Sequence, residues 1–455
     1  MKPVAKLARV LSLPTAIILV ISTMVGSGVF KKVAPMAAEL QSPGLILLCW
    51  LLAGLVSLAG ALTNAEMAGM FPQSGGEYAY YQKVYNRFFA FLYGWSNFTV
   101  VRTASVAALA HIFAQSLIGL LALDDEAGFL TKIIASALIA LLSLINYRGI
   151  RFAGAVSWVL TSAILLTIVG LSAMGFSSPL GSFANLNHNS PVFDAGSMSG
   201  LVLVKALFIA SLGAFWGYDG WNNIAFIGEE IKNPQRNLPL ALGLGTFFVM
   251  GVYLLLNAMY VYVLPIEDLM ALSRTPEKIA AVEVIRRVSG ATGASLVSVL
   301  ILCTTFNATN STILTSARIY YAMARDGLFF RSVSQIHAQF RTPSVSIVWQ
   351  GVWSVALVWS GSFDQLTDML VFASFIFYGA TALGVILYRR SHPDMPRPYR
   401  VIGYPVLPIV FCLFCLTLVI ITLLEQPREA LMGLGLIATG IPFYFFWQRQ
   451  SSPES

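Results

Sequence analysis

The chain has 455 residues, 57% of them hydrophobic and only 11% charged, with a mean hydropathy of +0.74 and a formal net charge of +7. So little polar surface excludes a soluble globule of this size and marks an integral membrane protein. The positive balance does not point to nucleic acid, because the lysines and arginines lie mostly in short loops, as topology signals do.

Apolar runs of about 20 residues, the length that crosses a ~30 Å hydrocarbon layer as a helix, recur along the chain and argue against a barrel of short alternating strands. The expectation is an all-α polytopic protein with twelve spans, near 12–39, 44–70, 87–121, 131–147, 152–176, 201–231, 238–263, 291–324, 343–360, 365–388, 401–424 and 428–447. No cleavable signal peptide is read at the start, since the first run leads into further spans. An even count puts both ends on one side. Most lysines and arginines, among them Lys2, Lys6, Arg9, Lys83, Arg318, Arg325, Arg389 and Arg397, fall on that side, which the positive-inside rule makes cytoplasmic.

The segments between spans carry expectations too. Phe71–Tyr80, with Ser74-Gly75-Gly76 and a run of tyrosines, predicts a short helix on the cytoplasmic face. The outer loop 264–290, which includes Glu267, Asp268, Glu277, Arg286 and Arg287, predicts small helices over an outer vestibule. The inner loop 325–343 is basic and polar. Cys49, Cys303, Cys412 and Cys415 all lie in apolar segments and read as packing residues.

Two spans are interrupted. The first carries Gly26-Ser27-Gly28 midway, and the sixth carries Gly217-Tyr218-Asp219-Gly220-Trp221-Asn222-Asn223. Paired interruptions in corresponding positions of two halves point to a secondary transporter's binding site. The single domain 1–455 then divides into 12–176, an inverted repeat at 201–388, and two additional helices at 401–447. Unwound backbone in hydrocarbon must find partners. The amides of Ser27, Gly28 and Val29, at the N-terminus of a half-helix, suit a carboxylate. The carbonyls of Thr23, Met24 and Val25, with those of Trp216 and Asp219, suit an ammonium. Backbone alone would thus recognise an α-amino acid. The opposing reading makes Gly26 and Gly28 a packing face for a neighbouring helix.

Trp216 reads as a lid over the substrate, or as ordinary aromatic packing. Asp219 is an intramembrane carboxylate, either a functional partner or a helix-end group. Asn222 either bonds the ligand or braces the backbone. Arg102, inside the third span, calls for a partner, and an ion pair with a structural or gating role is expected. His111 reads as a core histidine. Neither paired carboxylates with histidine, metal-spaced ligands nor a nucleophile elbow is present, so no enzyme, cofactor or metal is expected. A channel would want a continuous polar stripe or charged ring.

Gly26-Ser27-Gly28-Val29-Phe30, Ser74-Gly75-Gly76-Glu77-Tyr78, Val101-Arg102-Thr103, Tyr218-Asp219-Gly220-Trp221-Asn222 with Glu229-Glu230-Ile231-Lys232-Asn233-Pro234, and Leu314-Thr315-Ser316-Ala317-Arg318 follow one another in an order that resembles the amino acid–polyamine–organocation superfamily, and within it bacterial members of the L-type amino acid transporter group. The resemblance implies a twelve-helix, leucine-transporter-like fold, a 5+5 inverted repeat with helices 1 and 6 broken. It implies sodium-independent transport, commonly exchange, of amino acids. Its substrate positions fall on Met24, Gly26, Ser27, Gly28, Trp216, Gly217, Asp219 and Asn222, and Trp216 takes the place of the aromatic gate. Relatives often carry a lysine in the fifth span where alignment here gives Ile164. That departure leaves proton coupling, uniport, or an exchanger of cationic amino acids or polyamines as alternatives to exchange of neutral L-amino acids. Thr309 and Ser311, in the polar run of the eighth span, belong to the same candidate coupling region or simply bond their own helix. The loop 121–128 lacks the cysteine through which animal light subunits join a heavy subunit, so no disulfide-linked partner is expected. The expected setting is the plasma membrane, a bacterial inner membrane, with lipid and amino acid as partners.

Overall fold

Polarity in this molecule is inverted relative to a water-soluble protein. The computed structural model describes residues 7, 9–125, 128–194, 196, 199–275 and 278–451, with no side-chain description for 150–154, 156, 450 and 451. Lys2, Lys6 and Glu277, used above to assign topology and the outer loop, lie outside the described residues, as do Glu126 and Ala127 of the loop 121–128. The outward surface carries large apolar side chains such as Leu166 and Leu424, 76% and 70% exposed, whereas the polar run Thr304, Thr305, Asn307, Thr309, Asn310 and Ser311 is fully buried. Hydrocarbon outside and hydrogen-bonding groups inside is what a bilayer demands.

The first expected span holds α1 (Leu13–Met24), α2 (Gly28–Lys31) and α3 (Val33–Leu40). The second is α4 (Pro43–Met70), followed by α5 (Glu77–Val84). The third comprises α6 (Arg87–Ser96), a π turn over Asn97–Val101, and α7 (Arg102–Leu121). Next come α8 (Phe129–Tyr147) and α9 (Ile150–Phe176), with the short α10 (Phe183–Asn187) beyond. The sixth helix, α11 (Gly200–Tyr218), gives way to tight 3-10 turns at Asn223–Phe226 and Gly228–Glu230. Then follow α12 (Pro234–Val263), α13 (Ile266–Leu272), α14 (Ala280–Arg325) and α15 (Ser344–Ser360). The chain closes with α16 (Phe363–Ser391), α17 (Val406–Glu425), α18 (Pro427–Ala438) and α19 (Gly440–Ser451).

Among the described residues, 11 helical stretches are long and apolar enough to cross a membrane; α15, in the ninth expected position, is a shorter apolar helix. The expected span 201–231 is helical only to Tyr218. The Tyr-rich helix expected on the surface is instead tucked inward: Glu77, Tyr78, Tyr80 and Tyr81 of α5 are buried, because the phenol rings pack against α6 and α16, Tyr81 lying 5.1 Å from Tyr93 and 6.3 Å from Phe377. In the loop 264–290, α13 and the first turns of α14 supply the small helices, and α14 bends at Gly290 (φ 64°).

Ion pairs tie the bundle at both ends. Where α1 starts, Glu66 of α4 accepts from Arg389 at 2.7 Å and from the Val401 amide at 2.8 Å, while Glu230 pairs with Arg318 at 2.9 Å. At the opposite end Lys32 meets Asp364, at the start of α16, at 2.7 Å. The broken helices lie between these two clamps.

Candidate substrate site

Helix α1 stops at Met24 because the backbone turns away there: Val25 has φ −74° and ψ 83°, and the Gly26 amide bonds back to the Met24 carbonyl at 2.8 Å. The chain restarts as α2 at Gly28, with Ser27 as the residue before it. Among the described residues the amides of Ser27, Gly28 and Val29 have no acceptor. They form the open donor end of a restarted helix in the interior of the bundle, where a missing partner is costly.

The second break lies directly against the first. A Cβ on Gly28 would stand 2.4 Å from the Cα of Gly217, so only glycine lets the two backbones approach this closely. Gly220 has φ +100°, and its carbonyl accepts the Thr23 hydroxyl at 3.0 Å. Trp216 donates from Nε1 to Ser27 Oγ at 3.2 Å and meets Phe363 edge-on with ring centroids 5.9 Å apart. The indole thus covers the first break on the side of the Lys32–Asp364 clamp.

Not all the expected carbonyls are open. The Tyr253 hydroxyl sits 2.6 Å from the Met24 carbonyl and 2.8 Å from that of Gly217, and the Trp216 carbonyl accepts the Asp219 amide at 3.2 Å. Met24 and Trp216 are therefore already partnered inside the protein. Thr23, Val25 and Asp219 retain carbonyls with no donor among the described residues.

Arg102 and Asp219, read separately from sequence, are partners. The guanidinium donates to the carboxylate at 3.0 Å, and both side chains are almost completely buried. Tyr378 of α16 donates to the same carboxylate at 3.1 Å. Asn222 lies one layer further back. Its carbonyl oxygen accepts from Arg102 Nη2 at 3.4 Å, and its amide nitrogen donates to Glu77 at 2.5 Å.

Between the breaks is a cavity of about 10 Å³, close to what a single water needs and far below the ~300 Å³ at which small-molecule pockets usually begin. Six expected residues line it: Met24, Gly26, Ser27, Gly28, Trp216 and Asp219. Val29, Gly217 and Asn222 do not. Val29 packs in the core, and Gly217 lies beneath Gly28. Thr23, whose carbonyl was expected to meet an ammonium, lines it too, and two lining residues were not anticipated, Ser105 and Leu109. Ser105 and Leu109 follow Arg102 at helical spacing on α7, so the period that places one on the site places all three.

A match to the amino acid permease family extends over residues 11–446. The chain belongs to that family. Among curated relatives, the b(0,+)-type amino acid transporter 1 of Homo sapiens is 28% identical over 445 residues, 97% of this chain and 88% of the relative. The serine/threonine exchanger SteT of Bacillus subtilis is 28% identical over 449 residues, 98% of each chain. The large neutral amino acids transporter small subunit 2 of Mus musculus is 28% identical over 451 residues, 98% of this chain and 82% of the relative.

In this amino acid permease family member, the polar run of α14 divides by direction. Thr309 bonds its own helix, at the Thr305 carbonyl, 2.6 Å away. Ser311 instead reaches outward, 2.8 Å from Ser22 on α1 and 3.0 Å from Ser157 on α9. Ile164 is buried in the apolar core two turns beyond Ser157. The polar contact from α9 to this junction is therefore made by Ser157, a residue that the alignment to a lysine position did not select.

Proposed function

We propose that this chain is a sodium-independent amino acid transporter of the plasma membrane, an alternating-access exchanger of neutral L-amino acids with both termini cytoplasmic. The observation that carries this reading is the complementarity of the two breaks. Ser27 and Gly28, whose amides are unpaired, line the cavity beside Thr23 of the same break and Asp219 of the second, both with free carbonyls. A zwitterion satisfies both sets with its carboxylate and ammonium. The names of the relatives, two transporters and an exchanger, support the class of substrate.

The narrowness of the cavity supports alternating access. With clamps at both ends and Gly28 seated on Gly217, substrate enters only as the breaks separate, and Trp216 leaves Ser27 in that step. Repeats at 12–176 and 201–388 that move against each other around this seam would supply such separation. No side chain of opposite charge is left over for a charged substrate at Asp219, because Arg102 occupies it. That favours neutral amino acids over cationic ones.

Counterflow tests the proposal. Purified protein in liposomes preloaded with unlabelled L-alanine, L-serine or L-leucine is expected to take up the labelled amino acid faster than empty liposomes, without sodium. Uptake indifferent to internal amino acid would overturn exchange, and non-saturable flux would overturn a carrier.

A further inference from the structure

Glu77 is a deeply buried carboxyl that the proposed site does not use. It opens α5, directly after the tight turn through Ser74, Gly75 and Gly76, and is 1% exposed. Three donors converge on it. Asn222 and Asn64 reach the same oxygen, Oε1, at 2.5 and 2.7 Å, and the Tyr93 hydroxyl reaches Oε2 at 3.2 Å.

Around Glu77, from α5 itself come the phenols of Tyr80 and Tyr81, from α6 that of Tyr93 and from α16 that of Tyr378, all neutral groups whose ordinary pKa is ~10. From α4 comes the neutral Asn64; its neighbour Glu66 is engaged with Arg389 and Arg397. From α7 comes Arg102, and from the second break come Asp219 and Asn222. Among the described residues the cation in this shell is Arg102, and it is held by Asp219. Among the described residues, two carboxyl groups and one guanidinium leave the cluster one positive charge short.

Asn64 can serve Glu77 in either charge state, donating to it as placed and accepting from it when turned over. It is 1% exposed, and its Oδ1 has no donor. A half-turn of its terminal amide places that oxygen where the nitrogen now lies, 2.7 Å from Glu77 Oε1. It then accepts a hydrogen bond if Oε1 carries a proton, and the orphaned acceptor is satisfied. Asn222 has no such freedom. Its carbonyl end is fixed by Arg102 and Tyr378, so its amide nitrogen stays on Glu77. A protonated Oε1 can thus accept from Asn222 and donate to Asn64. Burial, the largest influence on this carboxyl, pushes its pKa up, against the hydrogen bonds from Asn222 and Asn64 and the charge of Arg102.

We infer that Glu77 is the proton-binding site of this transporter, protonated when the breaks are closed and titrating when Asn222 moves with the second break. The O–H bond at Oε1 forms with a proton taken from water on one face of the membrane. It breaks when that proton is returned to water on the other, so Glu77 cycles between neutral and singly negative. This deepens the exchanger reading and rests on it for the transport step, though not for the protonation itself. It also places ion coupling in the α4–α5–second-break region and not at Ile164.

Two measurements test the inference on the full chain. Infrared spectra of the purified protein at neutral pH are expected to show the carbonyl stretch of a protonated carboxylic acid, lost in Glu77→Gln and shifted in Glu77→Asp. A wild-type band that survives Glu77→Gln, or no such band in the wild type, would overturn the proposal. In liposomes, an acidic exterior is expected to drive accumulation of labelled L-alanine, L-serine or L-leucine, up to roughly tenfold per pH unit for one proton per substrate. Glu77→Gln is expected to lose this response and keep counterflow. A pH-driven accumulation retained by Glu77→Gln would overturn the coupling role. If Glu77→Gln does not assemble, Glu77→Asp keeps the test alive through its shifted band and a shifted pH profile. Absence of counterflow in the wild type for all three amino acids would instead remove the exchanger reading, with the infrared comparison still deciding the proton.

Discussion

Gly28 and Gly217 touch through their backbones, and each break therefore limits how far the other can close. A methyl group at Gly28 would lie 2.4 Å from the Gly217 Cα and 3.2 Å from the Trp216 ring. Neither neighbour is the end of a flexible side chain. Gly28→Ala is expected to hold the breaks apart and lower counterflow by at least about tenfold, the consequence of displacing positioned groups by ~1 Å; Gly28→Leu is expected to abolish binding. Uptake assays beside size-exclusion profiles check this, and wild-type transport in either variant would sink the proposed carboxylate site.

The Arg102–Asp219 pair predicts a non-additive pattern. Removing one partner leaves a buried charge without its complement, a loss on the order of 3–5 kcal/mol. Asp219→Asn and Arg102→Gln are each expected to lower the melting temperature in detergent strongly, whereas the double variant recovers much of the loss. If the double variant melts at the temperature expected from summing the singles, the pair is not a structural unit.

Tyr253→Phe removes the one hydroxyl that bonds carbonyls from both breaks. Leaving buried acceptors unpaired costs about 1–3 kcal/mol. The expected outcome is a measurable drop in thermal stability together with faster exchange of the amides in the first break, read by hydrogen-exchange mass spectrometry. Unchanged protection there would mean that Tyr253 merely fills space.

Trp216→Phe keeps an aromatic face toward Phe363 but loses the Nε1 donor to Ser27. Counterflow is expected to persist, with the range of accepted side chains shifted toward larger ones. Trp216→Ala is expected to weaken apparent affinity severalfold for every substrate. Competition by a panel of unlabelled amino acids distinguishes a gate from packing, because a packing residue would change stability and leave the panel's ranking intact.

Glu77 also predicts a pH dependence of stability with a defined sign. Burial raises its folded-state pKa above the ordinary carboxylate value, so the folded chain holds a proton that the unfolded chain has released. Its stabilising contribution is complete below an unfolded pKa of ~4.3 and is lost as pH climbs through the higher folded value. Melting curves of the wild type are expected to decline across that interval, and those of Glu77→Gln to lack the decline.

The two breaks were legible because their signal is local. Glycines, a serine and a carboxylate interrupting otherwise apolar helices are visible without any neighbour, and Ser105 was within reach through its helical spacing from Arg102. Asp219 and Arg102 were both conspicuous as intramembrane charges, but the bond between them depends on how α7 and α11 pack, which no spacing encodes. Tyr253, Tyr378 and Glu77 were hidden for the opposite reason. A tyrosine in an apolar helix and a glutamate in a polar loop are unremarkable until tertiary packing supplies their partners. The inward position of α5 escaped because its alternation of tyrosines with small and polar residues fits a surface helix equally well.

Asn222 joins the cation beside the cavity to the carboxyl behind it, and its two ends are not interchangeable. Turning the amide over would set its nitrogen against a guanidinium, so the contact with Arg102 fails whatever the state of Glu77. A rotation therefore cannot serve as the signal between the two layers. What remains is translation, in which the second break carries the whole amide toward or away from Glu77. That makes the residue a mechanical linkage of fixed polarity, and it ties the timing of proton release to the distance the broken helix has moved.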